Sequence, residues 1–112
     1  MNKKIYYGLH KLDDNDIQAV VDILQKGPIT QGQTVEDFGQ ALADYAGARY
    51  GVAVSSGTAA LHVSVATLGI RSGDEVITTP MTFCATANAA LYTGADVKFV
   101  DIDKHTYNID PG

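Results

Sequence analysis

The chain has 112 residues, 46% of them hydrophobic and 19% charged, which is enough apolar content for one folded core and too little charge for a solvated tail. Its net charge of −5 is spread over short acidic clusters, leaving no basic face to neutralise nucleic-acid phosphates or anionic lipid headgroups. Cys84 is the only cysteine, so an internal disulfide and any multi-cysteine metal site are excluded; with no signal-peptide core and no membrane-length apolar run, the expected compartment is the cytoplasm.

Ile17, Val20, Val21 and Leu24 recur at helical spacing behind Asp13 and Asp16, predicting an amphipathic helix with an acidic first turn that ends at Gly27-Pro28. After an irregular Pro28-Ile29-Thr30-Gln31-Gly32 loop, Thr34-Val35-Glu36-Asp37 has the spacing of a capping box. Val35, Phe38, Leu42 and Tyr45 then mark one face of a second helix closed by Gly47. Residues 1–48 therefore read as an N-terminal helical arm.

From residue 49 onward the pattern changes to short apolar runs alternating with helices, the signature of βαβ units around a parallel sheet. Val52-Ala53-Val54, Glu75-Val76-Ile77-Thr78 and Val97-Lys98-Phe99-Val100 are the expected strands. One helix runs from the Ser55-Ser56-Gly57-Thr58 turn through Leu61, Val65 and Leu68 to Gly69, and another spans about Cys84 to Tyr92 with Gly94 beyond it. The expected class is thus α/β, three parallel strands with helices. Asp110 precedes Pro111 as a helix N-cap precedes a favoured first residue, and a three-stranded parallel sheet leaves an apolar edge unpaired; both suggest that this is part of a longer protein.

In an open parallel sheet, ligands bind where the βα loops gather at the carboxyl ends of the strands. Ser55-Ser56-Gly57-Thr58-Ala59 places small and hydroxylated residues at a helix start, where free N–H groups and the helix dipole favour an anion such as a phosphate. Plain capping by Ser56 or Thr58 reads the same residues equally well. The loop lacks the glycine spacing of dinucleotide folds and the Gly-Lys-Ser/Thr of phosphate-loop NTPases, which argues against NAD and ATP. Phe83, beside the strand-ending Pro80, could lie over the same rim as a plate for a flat heteroaromatic ligand or could belong to the core. Asp101 and Asp103 read as a solvated strand-end turn, and His10, His62 and His105 have no metal-ligand spacing, so no metal site is expected.

Taken in order, Thr30-Gln31-Gly32, Val54 to His62, Gly73 to Pro80, Thr82-Phe83 with Ala85-Thr86-Ala87-Asn88, and Phe99 to Asp103 resemble the DegT/DnrJ/EryC1/StrS aminotransferases over the whole chain. Tyr7, Thr30-Gln31-Gly32 and Ala85-Thr86-Ala87-Asn88 are most similar to members that aminate C4 of UDP-4-keto-6-deoxy-N-acetylhexosamines, the UDP-4-amino-4,6-dideoxy-N-acetyl-beta-L-altrosamine transaminase type. The resemblance implies the N-terminal part of the fold-type-I, aspartate-aminotransferase-like large domain. It also implies pyridoxal 5′-phosphate as cofactor, glutamate as amino donor, a nucleotide-sugar substrate and a homodimer.

Residue by residue, Gly57, Thr58 and Ala59 match the family's phosphate loop, Phe83 its ring-stacking aromatic, and Tyr7 and Thr30 positions at the sugar-nucleotide entrance. The aspartate that pairs with the pyridine nitrogen, the Schiff-base lysine and the downstream asparagine have no counterpart among these residues. The 112 residues alone are therefore expected to be inactive, with no catalytic residue in this chain. A non-catalytic phosphate-ligand module and a pyridoxal-phosphate-dependent sugar 3-dehydratase remain as alternatives.

Overall fold

The computed structural model describes Tyr6 and residues 8–112; Tyr7, one of the residues expected to meet substrate, lies outside them. The chain divides into two units, Met1–Ala53 and Val54–Gly112.

In the first unit, α1 (Asp14–Lys26) starts behind Asp13 because that carboxylate accepts from the N–H groups of Asn15 and Asp16, at 2.9 and 3.1 Å. Asp16 returns the favour by accepting the Asp13 N–H at 3.0 Å, completing a reciprocal capping box. The exposed Lys26–Asp22 pair at 3.0 Å lies one helical turn apart and adds at most about 0.5 kcal/mol.

The second helix, α2 (Gln33–Ala46), begins two residues earlier than a capping box at Thr34 suggests. Its N-cap is Gly32, which makes no side-chain cap, and Thr34 already sits in the first turn. The reversal is set by Gly32 at φ 150°, where an added Cβ would also lie 2.7 Å from Pro28 Cγ. At the other end Gly47 takes the left-handed conformation at φ 65°, and the Ala48 N–H reaches back to the Ala43 carbonyl at 2.9 Å, a Schellman closure.

The residues that α2 buries are not the large ones of its apolar face. Phe38, Leu42 and Tyr45 are exposed, whereas Gly39 and Ala43 are buried. The cause is backbone proximity: a Cβ on Gly39 would stand 2.7 Å from the Gly51 carbonyl oxygen, and one on Gly51 would overlap the Gly39 carbonyl. Two glycines let the helix and the following segment touch main chain to main chain.

The second unit is a helix followed by a βαβ element: α3 (Gly57–Thr67), β1 (Glu75–Thr78), α4 (Ala85–Tyr92) and β2 (Asp96–Phe99). The strands pair in parallel, Glu75 opposite Asp96 through Thr78 opposite Phe99, and the Lys98 ammonium meets the Glu75 carboxylate at 3.2 Å on one face. Small residues let α4 sit between α3 and the sheet, with Ala85, Ala89, Ala90 and Ala95 buried. His62 of α3 packs edge-on against Tyr92 of α4, ring centroids 5.2 Å apart.

The third expected strand, Val52–Val54, joins no ladder: among the described residues the sheet has two strands. A strand exists only through hydrogen bonds to a neighbour, and β1 and β2 pair with each other and leave this segment without one. Beyond β2 the chain forms a hairpin closed by an Ile102–Ile109 antiparallel bridge, with Tyr107 at φ 60° in its turn. Asp103 Oδ1 accepts from the N–H groups of His105 at 2.9 Å and Thr106 at 2.7 Å.

Candidate functional site

The N-terminus of α3 is built to leave donors free. Ser56 is extended, at φ −164° and ψ 163°, and its Oγ accepts the Ala59 N–H at 3.1 Å. The Ala60 N–H bonds the Ser56 carbonyl at 3.0 Å, so the first regular helical bond is already in place. Among the described residues, the Gly57 and Thr58 N–H groups have no hydrogen-bond partner. No acidic residue stands in the first turn of α3, whereas α1 answers the positive end of its own dipole with Asp14 and Asp16. The start of α3 is thus electrostatically open to an anion.

One face of α3, carrying Gly57, Ala60, Leu61 and Ser64, forms a wall of an open depression of about 520 Å³ together with Thr58; Phe83 and Ala85 form the opposite wall. Ala85 is 3% exposed and fixes the base of that wall, while the Phe83 ring is 73% exposed. Among the described residues the Phe83 side chain thus faces the depression and packs in no core.

Of the sequence candidates, Gly57, Thr58 and Phe83 share this depression. Ala59 does not line it, and its N–H is taken by Ser56. Thr30 lies in the other unit, where it lines a separate depression of about 750 Å³ with Gln31, Gly32 and residues of α1 and α2. Ser64 was not singled out in the sequence; its spacing of seven from Gly57, two helical turns, is the signal that places it on the same wall.

A cofactor phosphate can be tested against this geometry at Gly57. Its φ is not positive, and an added Cβ would meet nothing within 4 Å. Neither backbone conformation nor packing within the chain calls for glycine there. Without a side chain the Gly57 N–H is left uncovered, which leaves room for an anion to approach it. The residues present fit a bound phosphate.

The family model of the DegT/DnrJ/EryC1/StrS aminotransferases matches residues 10–112. The chain belongs to this family. It is 44% identical over 98% of its length to the spore coat polysaccharide biosynthesis protein SpsC of Bacillus subtilis, and 43% identical over 95% to a UDP-4-amino-4,6-dideoxy-N-acetyl-beta-L-altrosamine transaminase of Campylobacter jejuni, covering 28% of each. The chain thus spans a little over a quarter of these relatives.

Among solved structures, the aminotransferase from Psychrobacter cryohalolentis superposes with a TM-score of 0.82 at 35% identity, over 90% of this chain and 26% of that one. The ntda protein of Bacillus subtilis, solved with bound PMP, gives 0.77 at 39% identity over 85% and 22%. A Streptococcus pneumoniae neighbour, solved in PLP and PMP forms, reaches 0.86 at 31% identity over 96% of this chain. The fold is therefore that of the N-terminal part of a pyridoxal-phosphate-dependent sugar aminotransferase, and the cofactor expected from the sequence is the one these structures carry. No helix among the described residues is long and apolar enough to cross a membrane.

Proposed function

We propose that the full-length protein is a cytoplasmic, homodimeric aminotransferase that moves an amino group from glutamate to a nucleotide-linked 4-keto-6-deoxy sugar, using pyridoxal 5′-phosphate. One observation carries the assignment of this segment: the free Gly57 and Thr58 N–H groups and the Phe83 ring converge on a single depression. In this reading residues 1–48 are a helical arm and residues 49–112 the start of the cofactor-binding large domain.

The cofactor supplies the carrier for the amino group and the sink for negative charge at the donor's Cα. The chain's own residues bind and orient it. Gly57 and Thr58 would donate main-chain N–H groups to the phosphate at the positive end of α3, and the Thr58 hydroxyl can add a further donor. Ser56 holds the Ala59 N–H, so Ala59 serves by keeping the turn small. Phe83 would lie against the flat ring and shield it from water on that side. Thr30, with Tyr7, is assigned to the sugar-nucleotide entrance. None of the chain's lysines stands in the context of the anchoring lysine, so these 112 residues bind cofactor and do not turn over.

The test supplies full-length protein with pyridoxal phosphate, glutamate and a UDP-4-keto-6-deoxy-N-acetylhexosamine, and follows the sugar by mass spectrometry. An amino sugar formed in step with 2-oxoglutarate supports the reading. Loss of substrate as a dehydrated product, or no amine with any keto sugar offered, refutes it.

A further inference from the structure

We propose that the hydroxyls of Thr82 and Thr86 form a clasp that positions the Phe83 ring for stacking, a role that rests on the cofactor reading above. The two oxygens are 2.9 Å apart, one in the loop before α4 and one in its first turn, and Phe83 lies between them in sequence. The main chain closes the same loop: the Thr86 N–H donates to the Phe83 carbonyl at 3.0 Å. Just beyond, Ala85 is 3% exposed and anchored, whereas the Phe83 ring is 73% exposed and gains little fixation from packing.

Helix capping does not explain the pair. The N-cap of α4 is Cys84, and no side chain caps that end. Thr82 spends its hydroxyl on another hydroxyl and satisfies none of the helix's free N–H groups. Its geometric effect is to tie the segment entering α4 to the turn leaving it, with the stacking residue held between. An unclasped Phe83 would have to give up its freedom when a ring binds, and that cost would appear in cofactor affinity.

The experiment compares full-length wild type, Thr82→Val, Thr86→Val, the double variant and Thr82→Ser. Valine keeps the shape of threonine without the hydroxyl, and serine keeps the hydroxyl. Two quantities are read: the pyridoxal phosphate concentration giving half-saturation, and the amplitude of the bound cofactor's visible circular dichroism, which reports a fixed ring orientation. Each valine variant is expected to weaken binding about twofold to tenfold, the fold-change that corresponds to a typical neutral hydrogen bond, and to reduce the dichroism. The double variant is expected to be no weaker than either single one, and Thr82→Ser to match wild type.

Losses that add in the double variant, a serine variant as weak as valine, or an unchanged dichroism would overturn the clasp. If Thr86→Val unfolds, the exposed Thr82 pair of variants decides alone. Phe83→Ala is the control for the underlying reading: if it binds pyridoxal phosphate as tightly as wild type, stacking at Phe83 falls and the clasp with it.

Discussion

Replacing Gly57 by alanine should move stability and cofactor affinity in opposite directions. An added methyl meets no atom within 4 Å, and φ at this position is not positive, so the folded chain accepts it without strain. Alanine also has fewer conformations to lose on folding and is the better helix residue. The full-length cofactor-free protein should therefore be unchanged or stabilised by up to about 1 kcal/mol. The methyl nevertheless stands at the start of α3 beside the free Gly57 and Thr58 N–H groups. Blocking one hydrogen bond to an anion costs about 1.5 to 3 kcal/mol, so pyridoxal phosphate should bind at least about tenfold more weakly.

Urea unfolding of the cofactor-free protein gives the first quantity and a cofactor titration the second. A clear loss of stability would mean that the glycine serves the fold. Unchanged affinity would mean that no phosphate approaches this turn. Either result refutes the assignment.

Three further outcomes follow from the same geometry. Ser56→Ala removes the Oγ acceptor of the Ala59 N–H and should cost about 1 kcal/mol in urea unfolding, while Ser56→Asp should keep the cap and weaken cofactor binding by repelling its phosphate. Gly39→Ala gains about 1 kcal/mol in helix propensity but drives a Cβ to 2.7 Å from the Gly51 carbonyl oxygen; overpacking against rigid main chain costs about 1 to 3 kcal/mol, so the net effect should be a lower denaturation midpoint. The N–H groups of Thr106 and His105 hold the Asp103 carboxyl below its ordinary value of 3.8, helped by the Thr106 hydroxyl. The contribution of this turn to stability should therefore be fully present above pH 3.8 and be lost as pH falls through the lower folded value; the His105 and Thr106 amide resonances should follow that transition, and Asp103→Ala should abolish it.

The sequence carried those features whose causes are local. Asp13 and Asp16 lie before an apolar period, and the cap they form needs no residue beyond its own turn. Glu75–Thr78 was legible to the residue because β-branched positions are bounded by Gly73-Asp74 and Pro80. What depends on distant partners was not legible. Val52–Val54 has the composition of a strand, yet ladder formation is decided by the neighbour and not by propensity. The close approach in α2 was not legible for a related reason: hydropathy picks out Phe38 and Leu42, and only the proximity of Gly51 reveals why Gly39 is buried. At the start of α3, a helix beginning at Gly57 and Thr58 could be read from the Ser55–Thr58 turn, whereas the Thr82–Thr86 pair shows only as a spacing of four whose meaning needs coordinates.

The distribution of small and large residues accounts for how closely α4 approaches its neighbours. Among the described residues the buried apolar ones are all alanines, in α2, in α4 and at Ala95, while Leu24, Phe38, Leu61, Phe83 and Phe99 are exposed. Alanine burial contributes little per residue because little apolar area leaves water, so its value here is distance: it lets α4 come close to α3 and the strands. That closeness sets the depth of the depression between the start of α3 and the loop entering α4. The large exposed side chains add little hydrophobic stabilisation among the described residues, because little of their apolar area leaves water. The start of α3, by contrast, depends on Ser56, a short helix start and free N–H groups, all of which lie within unit Val54–Gly112. On the proposed reading, recognition of the cofactor's phosphate end is therefore local even where stability is not.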